Sequence, residues 1–138
     1  MRKISDLVRD QNPLILSPSV TVQHACQQMR DHRAGAVLIA SRNGQLKGIF
    51  TRGDATNRVL AEGRNAVEVT LGEVMTSSVI TASPNMTSIA ALRMMEDHGC
   101  RHLPIVNNGK IVGLVFRGNF RGLELDRIEE EAELWGKV

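Results

Sequence analysis

The sequence predicts a mixed α/β (α+β) protein in which two β-α-β-β-α repeats pack sheet to sheet about a pseudo-twofold axis. Three observations predict it. Residues 17–53 can be set over 83–118, with one residue dropped before the turn of the second copy. Thirteen identical pairs result, among them Ser17/Ser83, Thr21/Thr87, Met29/Met95, His32/His98, Gly48/Gly113 and Arg52/Arg117, so the chain is a tandem duplication. In each copy, apolar residues at helical spacing precede a compact run of branched side chains, the pattern of an amphipathic helix followed by a buried strand. Each copy then places an Asn-Gly pair, Asn43-Gly44 or Asn108-Gly109, between two apolar runs, and this pair tolerates the positive φ angles of a tight hairpin.

The elements follow in order. A short strand at 14–16 opens the first copy. Thr21 caps a helix whose Val22, Ala25, Cys26 and Met29 form one apolar stripe. Strands at 36–40 and 46–51 flank the Asn43-Gly44 turn, and a helix runs from about 54 to 61. The second copy repeats this order with a strand at 79–81, a helix after Thr87 carrying Ile89, Ala90, Leu92 and Met95, strands at 103–106 and 111–116, and a helix from about 119 to 134. Upstream, Ile4-Ser5-Asp6-Leu7-Val8 echoes Leu71-Gly72-Glu73-Val74-Met75. In the last helix, Leu125, Ile128, Ala132 and Trp135 form an apolar stripe suited to a dimer or partner contact, and Glu129-Glu130-Glu131 with Glu133 form its wet face. The division expected is 1–66 for the first repeat and 67–138 for the second. A copy of this size buries only about 60% of its unfolded surface, so each needs the other. Their meeting would create two related clefts, a favoured setting for small ligands.

Composition narrows the function. The 138 residues carry 17 basic and 15 acidic side chains, a formal charge of +2, which is too even for a protein that coats nucleic acid. Aromatics are limited to Phe50, Phe116, Phe120 and Trp135, too few for a base-stacking surface. No apolar run approaches the ~20 residues of a membrane span, and MRKISDLVRDQNP lacks the apolar region of a secretory signal. Cys26 and Cys100 make no disulfide framework, so a reduced cytoplasmic protein is expected. Neither nucleic acid nor membrane is expected as a partner.

Two copies closing with Gly48-Ile49-Phe50-Thr51-Arg52-Gly53-Asp54 and Gly113-Leu114-Val115-Phe116-Arg117-Gly118-Asn119, with Glu73-Val74-Met75-Thr76 and Arg101-His102-Leu103-Pro104-Ile105-Val106 between them, resemble a tandem pair of CBS domains, the Bateman module. The resemblance covers nearly the whole chain. It implies a regulatory or sensing module that is not an enzyme. It also implies an adenosine-containing ligand (AMP, ADP, ATP, NAD or S-adenosylmethionine, with AMP the first choice) in a cleft between repeats. A homodimer is implied as well, and with it an unidentified effector protein acting in trans. Carried onto this sequence, the pattern makes Asp54 the acceptor of the ribose hydroxyls, Thr51 a hydroxyl for ribose or phosphate, and Gly53 a point of close backbone approach. Gly35, Ala36 and Val37 would meet the adenine edge. Arg52, Arg101, His102 and Arg117 would supply positive charge for phosphates, and Ser17, Thr81, Leu103, Pro104 and Asn119 complete the ligand-binding set. Phe116 departs from the pattern because it replaces the hydroxyl residue of the first copy, which predicts two unequal sites, the Thr51/Asp54 one being competent.

Plainer readings stand beside these. Asp54 is also a good helix N-cap, and Arg52 and Arg117 are also ordinary surface charges. His32 and His98 suit the C-terminal ends of equivalent helices. His98-x-Cys100-x-His102 has zinc-type ligands on one strand face, but the first copy has Ala34 and Ala36 at the two later positions, so no metal is expected. Cys26 reads as a core residue. The alternative function is a ligand-free oligomerisation or interaction module, with its clefts filled by side chains such as Phe116.

Overall fold

The computed structural model describes residues 2–120 and Leu134. In chain order the elements are α1 (Ile4–Val8), β1 (Ile15–Leu16), α2 (Val22–Asp31), β2 (Ala36–Ala40), β3 (Leu46–Thr51), α3 (Arg52–Asp54, continuing as a π-helical stretch over Ala55–Leu60), α4 (Leu71–Val74), α5 (Ser88–His98), β4 (His102–Asn107), β5 (Lys110–Phe116) and a 3-10 turn at Arg117–Asn119. They fall into two compact units. Of the described residues, one holds Asn12–Val79 with Asn108–Ile111, and the other holds 2–11, 80–107 and 112–120.

In the first-copy unit, β2 is central, parallel to β1 and antiparallel to β3. All five residues of β2 are buried, which explains an uninterrupted apolar run where a half-exposed strand would alternate. Thr21 caps α2 by accepting a hydrogen bond from the His24 N–H at 3.2 Å. The stripe of α2 then buries Val22, Ala25 and Met29 against Val37, Ile39 and Phe50, with Val59 from the π-helical stretch closing the cluster. Each of the larger side chains stabilises the fold by about 1.5–3 kcal/mol when fully buried, and Ala25 by less.

The second-copy unit repeats this plan around Ile89, Leu92, Met95, Leu103, Ile105 and Val115. Thr87 caps α5 through the Ala90 N–H at 3.1 Å. The expected strand at 79–81 is reduced to a single parallel bridge between Ala82 and Ile105. The chain turns at once after it, with Ser83 accepting from the Asn85 and Met86 N–H groups, so only one residue aligns with β4. The helix expected at 54–61 starts two residues earlier, at Arg52, because the Thr51 hydroxyl caps it. The helix expected over 119–134, with the stripe Leu125, Ile128, Ala132 and Trp135, lies outside the described residues apart from Asn119, Phe120 and Leu134.

The two echoing segments upstream of the copies are both short helices, and each serves the other copy. Ile4 and Val8 of α1 join the core around Leu92 and Leu103, whereas Leu71 and Val74 of α4 join the core around Phe50. The Ile4 N–H donates to Met86 O at 2.8 Å and the Leu71 N–H to Val20 O at 2.8 Å. The repeated strand glycine has its reason here. A Cβ on Gly48 would lie 2.6 Å from Met75 Sδ and 2.8 Å from Thr76 O, and one on Gly113 would lie 2.7 Å from Val8 Cβ. Met75 and Thr76 just after α4, and Val8 at the end of α1, press directly on bare strand backbone.

Candidate ligand-binding site

The β3–α3 junction of the first copy is where the sequence concentrates chemistry. Thr51 is the last residue of β3 and the N-cap of α3, in extended backbone. Its Oγ1 accepts from the Asp54 N–H at 3.2 Å, and its own N–H donates to Asp54 Oδ2 at 2.9 Å. This reciprocal pair satisfies two backbone donors that a helix start would otherwise leave without partners. The plain reading of Asp54 as N-cap is corrected in detail: Thr51 is the cap and Asp54 stands three residues on. The other carboxylate oxygen, Oδ1, faces Arg58 Nε at 3.6 Å, and Arg58 in turn donates to Val74 O at 3.0 Å and Met75 O at 3.3 Å. The Asp54 side chain remains 18% exposed. A carboxylate has about four lone-pair sites, so acceptor capacity is left for a further donor.

Around this clamp the register places Ala36 opposite Thr51 and Val37 opposite Phe50. The Arg52 N–H donates to Gly35 O at 3.2 Å, tying the start of β2 to the start of α3. Gly35, Ala36, Thr51, Arg52 and Asp54 are therefore brought together, with Ala36 and Val37 buried and Arg52 and Gly53 exposed. Ser17 is exposed, and its hydroxyl is shared with Ser19 at 2.8 Å.

The second copy keeps the frame and loses half of the clamp. Asn119 Oδ1 accepts from the Phe116 N–H at 2.8 Å, as Asp54 does from Thr51, but Phe116 has no hydroxyl to return the bond. The Phe116 ring lies over Gly118 and is 48% exposed. The Arg117 N–H donates to Arg101 O at 3.2 Å, the counterpart of the Arg52–Gly35 bond. The Arg117 side chain is ion-paired with Glu96, so its charge is already partly compensated. Arg101 and Thr81 are exposed, His102 is half-buried, and Leu103 and Pro104 are buried. These residues belong to the second-copy unit; Ser17, Gly35, Ala36, Val37, Thr51, Arg52, Gly53 and Asp54 belong to the first-copy unit.

His32 and His98 each bond through Nδ1 to the carbonyl four residues back, Gln28 O at 2.8 Å and Met94 O at 2.9 Å, at the ends of equivalent helices. Among the described residues no group of three His, Cys, Asp or Glu side chains gathers as a metal site. Cys26 is half-buried and packs against the first-copy core, and desolvation pushes its thiol above the ordinary cysteine range. Sequence reasoning missed Arg58. Its signal was present, since a cation four residues after Asp54 on a helix is placed to pair with it.

Comparison with known proteins defines the class. The CBS domain family profile matches residues 4–61 and 71–123, and the chain belongs to that family. Among curated relatives, it is 34% identical over 119 residues to the CBS domain-containing protein YhcV of Bacillus subtilis, covering 86% of this chain and 83% of that one. It spans a much smaller part of some others, such as 22% of an Arabidopsis thaliana CBS domain-containing protein. Of solved structures, an uncharacterized conserved protein from Pyrococcus horikoshii superposes with a TM-score of 0.79 at 29% identity, covering 91% of this chain and 92% of that one. A CBS domain protein from Pyrobaculum aerophilum, complexed with AMP, shares the fold with a TM-score of 0.82 at 20% identity, covering 93% and 98%. No helix among the described residues is long and apolar enough to cross a membrane.

Proposed function

We propose that the chain is a regulatory module that binds an adenosine-containing ligand at the Thr51/Asp54 junction and passes its occupancy to a partner protein in trans. The observation that carries this reading is the Asp54 carboxylate. It is held in place by the Thr51 N–H and faced by Arg58, yet it is partly open and has acceptor capacity left beside the Gly35–Ala36 backbone. Two vicinal ribose hydroxyls are donors of the kind such a group takes, through charge-assisted hydrogen bonds of about 1.5–3 kcal/mol each. Apolar Ala36 and Val37 suit the adenine ring, and Arg52 suits a phosphate. The AMP complex of the Pyrobaculum relative supports an adenine nucleotide, with AMP as first choice. The second copy, with Phe116 for the hydroxyl and Arg117 committed to Glu96, is the weaker site. The module acts as a homodimer, and two free thiols suit a cytoplasmic setting.

Ligand binding would change the protein's output only through unequal affinity for two of its states. Calorimetry with AMP, ATP, NAD and S-adenosylmethionine tests the reading. One of them binds the wild-type chain, and Asp54→Ala costs roughly 2–4 kcal/mol, some 30-fold or more in affinity. Equal binding by wild type and variant refutes the ribose assignment. Flat titrations with all four ligands refute the sensor and favour an interaction module.

A further inference from the structure

The first-copy unit contains a cavity of about 410 Å³ that the adenosine reading leaves largely unused. It lies between α2 and the start of α3 and is lined by Cys26, Met29, Arg30, Arg33, Arg52 and Ala55. Thr51 and Asp54 are not among its lining residues. The size suits a small organic molecule.

The lining has two distinct parts. Met29, Cys26 and Ala55 make an apolar floor. Arg30, Arg33 and Arg52 complete the lining, with no acidic residue beside them among the described residues. Arg30 is paired at 3.0 Å with Asp31, which offsets one charge, but that pair is well exposed and weak. Arg33 and Arg52 have no side-chain partner among the described residues. Among the described residues two of these positive charges are uncompensated, the complement of a dianion.

Arg33 supplies a second, independent observation. Its φ is +52°, in the left-handed region that a residue with a Cβ enters at a cost. The equivalent residue of the second copy is Gly99, with φ +65° and no such cost. The first copy thus keeps a strained arginine where its twin uses the residue that fits. Among the described residues no hydrogen bond or ion pair of the Arg33 side chain repays the strain, and a charge beside the cavity is what the substitution adds.

We propose that this cavity is a binding site for a small phosphate ester, independent of the Asp54 carboxylate although Arg52 borders both sites. Guanidinium forks from Arg33 and Arg52 take the phosphate and the floor takes the apolar body. A phosphate monoester is favoured over a single carboxylate because its two charges match the two uncompensated arginines. An attached apolar group is favoured over inorganic phosphate because the floor would otherwise stay wet.

Titration of the full chain with phenyl phosphate, followed by amide NMR shifts and calorimetry, tests the proposal, with adenosine as the probe of the other site. Wild type binds phenyl phosphate more tightly than inorganic phosphate, and rising salt weakens the binding. Arg33→Gly, which relieves the left-handed backbone and so keeps the fold, lowers phenyl phosphate affinity tenfold or more and leaves adenosine binding unchanged. Asp54→Ala does the reverse: it keeps phenyl phosphate and loses adenosine. Equal phenyl phosphate affinity in wild type and Arg33→Gly overturns the site, as does absence of binding to wild type at millimolar concentration. Loss of phenyl phosphate in Asp54→Ala overturns its separateness.

Discussion

Replacing Asp54 by alanine removes two interactions that can be weighed separately from any ligand. The first is the hydrogen bond from the Thr51 N–H at 2.9 Å, half of the clamp at the start of α3. Losing a helix-cap partner costs about 1 kcal/mol. The second is the contact with Arg58 at 3.6 Å, and since that arginine is 47% exposed the pair contributes at most a few tenths of a kcal/mol. The expected destabilisation is therefore about 1–2 kcal/mol, which for a chain of this size lowers the melting temperature by roughly 3–8 °C. Asp54→Asn keeps a carbonyl oxygen for the Thr51 N–H and loses only the charge, so it should cost less than half as much. Thr51→Val removes the other half of the clamp and should cost about 1 kcal/mol on its own. Combined with Asp54→Ala it should cost less than the two single effects added, because the pair shares one device. Urea denaturation followed by circular dichroism reads all four variants. An Asp54→Ala protein as stable as wild type would refute the structural role assigned to the clamp. An Asp54→Asn protein as damaged as the alanine variant would show that charge, and not the hydrogen bond, carries it.

Further outcomes follow from other features. Gly48→Ala should destabilise by about 1–3 kcal/mol in denaturant, and Met75→Ala should rescue it only in part because the Thr76 carbonyl still blocks the new methyl. Gly99→Ala, at φ +65°, should cost about 1 kcal/mol, whereas Arg33→Gly at the equivalent position should be neutral or slightly stabilising in the same assay. Ile4→Ala should cost about 2–5 kcal/mol even though Ile4 precedes both copies, because the side chain is fully buried in the second-copy core. The Cys26 thiol is raised by desolvation, so the folded form holds its proton more firmly than the unfolded chain does. Stability should fall as pH rises above about 8.5, and Cys26→Ala should flatten that part of a melting-temperature profile.

Much of this architecture could be read from residue order alone, for a physical reason: the duplication shows each element twice. The Thr21 and Thr87 caps, the stripes behind them and the Asn-Gly turns all depend on neighbours within a few residues, and the structure has them where the pattern put them. The Thr51-x-x-Asp54 spacing was legible as a candidate site, while its reciprocal bonding was not, although the same spacing is that of a capping box. The strand at 79–81 failed because branched residues favour extended backbone without guaranteeing a partner, and the turn at Ser83 ended the pairing after one bridge. The destination of α1 and α4 was invisible for a different reason. Their apolar faces say that they are buried, and nothing in a five-residue stripe says against which copy. Gly48 and Gly113 were seen as a matched pair, but their cause, a neighbouring segment pressed on bare backbone, is a tertiary fact. The cavity beside Arg33 was hidden similarly, since left-handed backbone at an arginine cannot be inferred from its neighbours.

The crossed placement of α1 and α4 bears on the order in which the protein can assemble during synthesis. The first-copy unit is nearly complete once residue 79 has been made, for only 108–111 come later. The other unit cannot close its interior until Ile4 and Val8 meet partners such as Leu92 and Val115. The entropic penalty of that long closure grows only logarithmically with the intervening chain, so distance itself is a small obstacle. Delay is the larger one: on a ribosome adding about 5–20 residues per second, α1 waits several seconds for its seat. During that interval its apolar side chains are available to any other surface, including a neighbouring nascent copy of the same chain.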